Sequence, residues 1–327
     1  MRGLIGFGSN LLLAFSDPLR GRQALSALDL YVHADLFMNP TAELADIVLP
    51  VASCFEREAL RFGFEISADA QSLVQFRQRV VSPPGVARSD TDIIFDLAVR
   101  LGLGEHFWKG DVDAAYRHQL SQSGLSLEAL RAEPRGIRAP LTTRYAKHAE
   151  PDAKGDARGF ATPSRKVEFW SETLQTKGYA AIPEFVPPPD PQAERYPLVL
   201  TCAKPTLFCQ TQHRALPSLR RRAMDPEVML HPKAAAQRGV AEGDWVSVET
   251  RSGAMRARAV LNADIDERVV VGEHGWWQAA PAANAPGYDP FSPQGSNYNL
   301  TVDPSARDPI SGTTAHRSGC CEVVRIA

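Results

Sequence analysis

Closely spaced sulfur ligands are missing from this sequence. Five cysteines occur among 327 residues, and no two of them form a CxxC pair. A disulfide framework or a closed zinc or iron–sulfur site needs a more regular cysteine spacing, so the pattern argues against both. We therefore expect reduced thiols and a cytoplasmic protein.

Long apolar runs and a strong net charge are missing as well. No apolar stretch approaches the roughly 20 residues of a membrane span. A net charge of −2 and a pI of about 6.5 exclude an overall field that attracts nucleic acid or anionic lipid. Residues 1–15 hold one arginine before an apolar run, but glycines and Asn10 interrupt it, which favours a strand and turn over a signal peptide. Any nucleotide must therefore be held by local contacts.

Familiar catalytic signatures are also absent. The sequence contains no GxSxG, HExxH or Walker A motif. Cys202, Cys209 and His213 lie close together along a predicted strand and loop, but they lack the spacing of a metal-ligand set. We predict neither a catalytic residue nor a metal ligand.

The N-terminal part has the pattern of an α/β domain. From residue 1 to about 135, the predicted strands GLIGF, LYVHADLF and IVLP alternate with helical segments such as RGRQALSAL, which is typical of a parallel sheet. Ser89 opens a capping box before an apolar i, i+4 stripe that stops at Gly102, and this predicts a helix.

The C-terminal part has a different pattern. Residues 136–194 lose periodicity and end in FVPPPDPQAERYP, which predicts an extended linker. After it, HPKAAAQRG predicts a short helix, and DWVSVETRSGAMRARAVL predicts two strands joined at Ser252 and Gly253. Short strands with tight turns indicate a closed β-barrel. The predicted domains are 1–135, 136–194 and 195–327.

Candidate binding residues follow the predicted strands of the α/β part. GFGSN at 6–10 begins like a dinucleotide fingerprint but lacks its third glycine, so a turn without a ligand is an equal alternative. Asp35 and Asp90 could accept hydrogen bonds from a ribose or a guanine edge. A turn carboxylate at Asp35 and a simple helix cap at Asp90 are the alternatives.

Two further segments in the barrel part are candidates. Residues 200–222 combine a strand end, a polar loop and a basic cluster, which suits a pyrophosphate but also suits a solvated basic face. EHGWWQ at 273–278 places two tryptophans after a strand, which could serve an interface, a flat ring ligand, or a core and rim pair. His274 alone is more often structural than catalytic.

Together these segments resemble the C-terminal part of the molybdopterin oxidoreductases of the dimethyl sulfoxide reductase superfamily. The resemblance covers essentially the whole chain. Its motifs are GSN at 8–10, the DxFxxxTAxxADIVLP pattern from Asp35 to Pro50, FERE at 55–58, RSD at 88–90, ATPSRKVEF at 161–169, LVLTCAK at 198–204, HPKAAAQRGVAEGDWV at 231–246, NYNL at 297–300 and DPISG at 308–312.

The resemblance implies a fold and a cofactor. The fold would be a partial Rossmann-like parallel α/β sheet followed by a double-psi β-barrel. The cofactor would be bis(molybdopterin guanine dinucleotide) with molybdenum or tungsten, without an iron–sulfur cluster in this chain. The segment TAELADIVLP, residues 41–50, would lie within the domain that holds one guanine nucleotide.

The resemblance also implies contact residues. A lysine is common in the family where Arg57 stands, and Lys204 would replace the arginine of the usual TGR loop start. Either asparagine of NYNL would contact the pterin. The implied contacts are Asn10, Ala34, Asp35, Arg57 and Asp90 for the guanosine, Thr201, Cys202, Ala203, Lys204, Thr206, Gln210 and Thr211 for the barrel loop, and His274, Asn297, Asn299 and Arg317.

The implied function is cofactor binding within a molybdenum or tungsten oxidoreductase. The chain resembles roughly the last 40 to 50 per cent of such an enzyme by usual domain sizes. The metal-ligating and iron–sulfur domains would then be missing from this chain, which would be either a separately translated part that works with an N-terminal polypeptide or the product of a truncated gene. The alternative is a non-catalytic module, a carrier, chaperone or defunct fragment. The substrate and the electron partner are not predicted.

Overall fold

The computed structural model describes residues 1–63, 66–141, 144–185 and 194–326. The strands are β1 Gly3–Phe7, β2 Leu30–Asp35, β3 Ile47–Pro50, β4 Ala59–Arg61, β5 Leu73–Arg77, β6 Ile137–Arg138, β7 Leu198–Ala203, β8 Glu227–Leu230, β9 Trp245–Glu249, β10 Ala254–Leu261, β11 Val269–Glu273 and β12 Gly319–Arg325. The α-helices are α1 Leu11–Ala14, α2 Pro18–Ser26, α3 Ala68–Ser72, α4 Asp90–Arg100, α5 Val112–Leu120, α6 Leu127–Ala132, α7 Glu172–Thr176, α8 Pro217–Arg220 and α9 Pro232–Ala236.

The chain divides into two compact units. One unit combines Met1–Val51 with Pro188–Ala327, and the other is Ala52–Pro187. These units differ from the predicted domains 1–135, 136–194 and 195–327, which stay a prediction. The segment predicted as a linker contains β6 and α7 in its described part, and its residues 186–193 lie outside the described residues.

The first unit contains a parallel sheet and a closed barrel. Strands β1, β2 and β3 pair in parallel in chain order, with Gly3 opposite Leu30 and Val32 opposite Ile47. Parallel strands are buried on both faces in most folds, and one face here packs Leu12, Leu13 and Tyr31 into an apolar cluster.

The barrel closes in the strand order β10, β8, β11, β7, β12, β9. The β7–β11 and β8–β10 pairs are parallel and the other four pairs are antiparallel. Alternate residues of each strand fill the interior, as the buried Val246 and Val248 of β9 illustrate. The predicted fold class, a partial parallel sheet followed by a β-barrel, is therefore confirmed.

The second unit is built on an antiparallel sheet. Strand β5 pairs with β4 and with β6, and it packs Val74 and Phe76 against Leu127 and Leu130 of α6. Helix α4 begins after Ser89, whose hydroxyl accepts the Asp92 N–H at 3.0 Å, as the capping box predicts.

Candidate functional site

The carboxyl ends of β1 and β2 place three of the predicted contacts in the first unit. Gly8 turns the chain after β1 with a φ of +57°, and its N–H donates to the Ala34 carbonyl at 2.8 Å. The side chain of Ala34 is fully buried. Any contact from Ala34 must therefore come from its backbone.

Asn10 follows this turn and keeps a free donor. Its Oδ1 accepts the Thr41 hydroxyl at 3.1 Å. Its Nδ2 is buried and has no hydrogen-bond partner within the described residues. An unsatisfied buried amide N–H costs about 1–3 kcal/mol, so this position suits a ligand acceptor.

Asp35 has its acceptor capacity filled by the protein. Oδ1 accepts the N–H groups of Leu36 and Phe37, and Oδ2 lies 2.8 Å from Asn39 Nδ2 and 3.2 Å from His33 Nε2. Burial raises the pKa of Asp35, but the hydrogen bonds from His33 and the two backbone N–H groups outweigh it and lower the pKa overall. Asp35 is therefore an ionised carboxylate that orders the turn after β2.

A buried polar chain below Asp35 was missed by the sequence analysis. Tyr31, His33 and Asp35 lie on one face of β2, and the Tyr31 hydroxyl is 2.7 Å from His33 Nδ1. Burial, and then the charge of Asp35, raises the pKa of Tyr31 to about 12. The period of two along LYVHAD is the signal that could have found this chain.

In the barrel, the predicted loop Thr201–Thr211 leaves the end of β7. Thr201, Cys202 and Ala203 pair with Val271, Gly272 and Glu273 of β11. The side chains of Thr201, Cys202 and Ala203 are half-buried. Those of Lys204, Thr206 and Gln210 are exposed. The loop therefore presents polar side chains at one end of the barrel.

The far side of this loop lies against the end of β11. His274 Nε2 is 2.7 Å from Gln210 Oε1, and Trp277 Nε1 donates to the Thr211 carbonyl at 3.0 Å. Gly275, with a φ of +85°, approaches so closely that a Cβ there would lie 2.6 Å from the Gln210 oxygen. Burial, and then the positive charge of Arg214, lowers the pKa of His274 to about 4.

The basic cluster of this segment is only partly a surface. Arg214 and Arg220 are fully buried and donate to backbone carbonyls, whereas Arg221 and Arg222 are exposed. Neither predicted alternative, a phosphate contact or a solvated face, describes Arg214 or Arg220. Sequence reasoning placed them at the surface because arginine is seldom fully buried.

The two tryptophans also separate. Trp276 is fully buried in a cluster with Phe208 and Tyr288, whereas Trp277 is partly buried against the cluster of Leu12 and Leu13. The core and rim alternative therefore describes this pair.

The predicted asparagines near the C-terminus are buried and internally bonded. Asn297 donates to the Pro290 carbonyl at 2.9 Å and accepts the Asn299 N–H at 3.1 Å. Asn299 donates to the Leu13 carbonyl at 2.8 Å and lies 3.0 Å from His316 Nε2. A pterin contact from either side chain would replace one of these bonds, whereas Arg317 is exposed.

The remaining predicted contacts, Arg57 and Asp90, lie in the second unit. Arg57 Nη2 is 3.7 Å from Asp90 Oδ2, and Arg57 Nε is buried without a hydrogen-bond partner among the described residues. Asp90 is the first residue of α4 and leaves the capping role to Ser89.

Arg57 also lines a cavity of about 1000 Å³ in this unit. Arg61, Arg77 and Thr91 line it too, and no carboxylate belongs to its described lining. The cavity is therefore positively charged, which suits an anionic ligand or one rich in hydrogen-bond acceptors.

Neither a metal-binding cluster nor a membrane-spanning helix is found among the described residues. No group of three or more His, Cys, Asp or Glu side chains could hold a metal ion. No described helix is long and apolar enough to span a membrane.

Two family models match the chain. The molybdopterin oxidoreductase model matches residues 4–100, and the molydopterin dinucleotide binding domain matches residues 198–320. Together the matched segments cover about two thirds of the chain.

Curated relatives and one solved structure extend this match. Acetylene hydratase of Syntrophotalea acetylenica is 32% identical over 85% of this chain and 37% of its own length. The trimethylamine-N-oxide reductase of Haemophilus influenzae is 27% identical over 83% of this chain and 35% of its own length. The structure of acetylene hydratase from Pelobacter acetylenicus gives a TM-score of 0.82 at 26% identity, covering 99% of this chain and 44% of that one.

This chain thus spans little more than a third of the length of these curated relatives. Both matched family segments fall on the predicted motifs, in the expected order. The chain therefore belongs to the molybdopterin oxidoreductases of the dimethyl sulfoxide reductase superfamily and carries their dinucleotide-binding domain.

Proposed function

We propose that this chain binds the guanine dinucleotide form of the molybdopterin cofactor, as the bis form with molybdenum or tungsten, within a larger oxidoreductase. The observation that carries the proposal is the buried Nδ2 of Asn10, a donor without a partner in the described chain. Desolvating such a donor is unfavourable unless a ligand oxygen or ring nitrogen completes its hydrogen bond.

Further residues have the chemistry that such a cofactor needs. In the first unit, the exposed Lys204 offers a cation after β7 for an anionic pyrophosphate. In the second unit, the unpartnered Nε of Arg57 offers a buried donor. Asp90 supplies a carboxylate that a guanine N–H edge could donate to. These residues would bind and orient the organic part of the cofactor.

The chemistry of the reaction would come from the cofactor metal, which supplies two-electron transfer or Lewis-acid activation when bound. The metal ligand and any iron–sulfur cluster would be supplied by polypeptide outside this sequence, and this chain would position the cofactor. The expected cytoplasmic location stays a prediction.

The experiment compares wild type with Asn10→Asp after expression in a host that makes molybdopterin guanine dinucleotide. The variant keeps the acceptor for the Thr41 hydroxyl and removes the free donor. Guanine nucleotide released by acid hydrolysis and metal by mass spectrometry should co-purify with wild type and fall about tenfold in the variant, as expected for a lost buried hydrogen bond.

The matched control is Asn284→Asp, the same substitution at an exposed position outside the proposed contacts. It should leave retention close to wild type, because it removes no buried donor. Folded wild type without guanine nucleotide would contradict the proposal and favour the carrier or defunct-fragment alternative.

A further inference from the structure

Arg214 is a fully buried cation without an ion-pair partner among the described residues. Its side chain is 0% exposed, and its guanidinium carbon lies 4.6 Å from the Phe208 ring centre and 5.0 Å from that of Trp276. Burying a guanidinium is costly unless its N–H groups are bonded. Its Nε has no hydrogen-bond partner among the described residues, so the bonds of its two Nη groups define what the residue does.

The Arg214 guanidinium joins two segments of the barrel end. Nη1 donates to the Gln210 carbonyl at 2.5 Å, and Nη2 donates to the His274 carbonyl at 2.8 Å. Gln210 belongs to the loop after β7, and His274 follows β11. His274 Nε2 and Gln210 Oε1 are themselves 2.7 Å apart. Arg214 therefore bonds the backbones of two residues whose side chains also contact each other.

Backbone strain at this junction makes such a tie necessary. Gln210 and His213 have φ values of +53° and +71°, a left-handed conformation that non-glycine residues rarely adopt. Gly275 packs against the Gln210 carbonyl at a distance that excludes a Cβ. The loop would relax from this shape without bonds that hold its carbonyls.

Arg220 provides a natural comparison. It is also 0% exposed and lies 5.1 Å from the centre of the same Trp276 ring. Its guanidinium instead donates to the carbonyls of Gln278, Met224 and Pro286, and to that of Arg214. Arg220 therefore shares the burial and the ring contact of Arg214 but touches neither Gln210 nor His274.

We propose that Arg214 is a positioning residue that holds the Gln210–Thr211 turn and His274 in the conformation that receives the cofactor. The inference rests on the proposed function of the Thr201–Thr211 loop. A planar fork can reach carbonyls of two segments at once, whereas the ammonium of a lysine is a single point of charge. An arginine, rather than any buried cation, is therefore required at this position.

The test compares Arg214→Lys with Arg220→Lys in the full chain. Both variants should melt at a lower temperature than wild type, because each loses bonds in the same aromatic cluster. Only Arg214→Lys should release guanine nucleotide about tenfold faster on dilution. Equal release rates from the two variants would overturn the inference.

Two-dimensional NMR of the His274 ring supplies a readout that needs no cofactor. The ring signals should shift in Arg214→Lys and stay close to wild type in Arg220→Lys, because only Arg214 bonds the His274 carbonyl. Unchanged signals in Arg214→Lys would overturn the inference even if wild type holds no cofactor. If the His274 signals shift in Arg214→Lys but the wild type holds no cofactor, the result would count against the proposed function alone.

Gly275→Ala tests the same junction if Arg214→Lys fails to fold. Its Cβ would press on the Gln210 carbonyl from the other side, so it should shift the His274 signals and speed nucleotide release as well. Gly253→Ala is its matched control, because a Cβ there would also meet a backbone oxygen at 2.7 Å, that of Leu300. Unaltered release and ring signals in Gly275→Ala would contradict the inference.

Discussion

His274 is kept neutral by its surroundings. Burial, followed by the charges of Arg214, Lys204 and His316, lowers the pKa of His274 from the ordinary 6.5 to about 4. Between these values the unfolded chain binds more protons than the folded chain, so lowering the pH favours unfolding. Above pH 6.5 the shifted pKa of His274 has no effect on the free energy of unfolding. As the pH falls from 6.5 toward 4, that free energy decreases.

Replacing His274 should therefore flatten one part of the stability profile. In His274→Gln the free energy of unfolding should fall less between pH 6.5 and pH 4.5 than in wild type, as urea unfolding at several pH values would measure. His106→Gln is the control, since His106 is exposed, and its profile should match wild type. Parallel profiles for wild type and His274→Gln would show that His274 titrates normally.

At the scale of single residues, the sequence did not predict which polar groups are buried. Arg214 packs against Phe208 and Trp276, and Arg220 packs against Trp276. Trp276 lies far from both arginines in sequence, so no local pattern marks them as interior. Asp35 was correctly placed at the end of β2, but the four donors around it could be seen only in the fold. Asn10 differs from Asp35 in keeping a buried donor without a partner among the described residues, and its contact with the cofactor stays a prediction.

At the start of helix α4, the helix cap and a proposed nucleotide contact fall on two adjacent residues. Ser89 bonds the Asp92 N–H and is buried, while Asp90 lies within 3.7 Å of Arg57. Ser89→Ala should lower the free energy of unfolding by about 1 kcal/mol and leave nucleotide retention unchanged. Thermal and urea unfolding together with nucleotide release would measure both effects.

Asp90→Ala should show the reverse balance. Its loss removes the carboxylate proposed for the guanine edge and the partner of Arg57, so nucleotide retention should fall about tenfold with a smaller loss of stability than in Ser89→Ala. A variant that loses stability but keeps the nucleotide would leave Asp90 with a structural role alone.

The elements that depend on local patterns were predictable, and those that depend on distant pairing were not. Alternation predicted β9 and β10, and the turn at Ser252 and Gly253 joins them in the structure. The sheet of β4, β5 and β6 was not predicted because its partners are far apart, with Leu73 opposite Arg138. No tight turn joins β5 and β6, so turn geometry does not fix their register.

At the scale of the whole molecule, the polar residues predicted to contact the cofactor in the first unit lie on two kinds of scaffold. The parallel sheet presents Asn10 and Asp35 beyond its carboxyl ends, the usual ligand position in α/β folds, and the barrel presents the loop after β7. The pairing of Thr201, Cys202 and Ala203 with β11 holds the end of β7 from which this loop leaves. Rigid elements of this kind hold binding groups more precisely than free loops.

The most direct measurement is native mass spectrometry of the full chain, purified from a host that makes molybdopterin guanine dinucleotide. The account predicts a folded protein that carries the mass of this cofactor, and a loss of that mass in Asn10→Asp at an unchanged fold. A folded wild-type chain that carries the bare protein mass, under conditions in which a related molybdoenzyme from the same host is loaded, would contradict it.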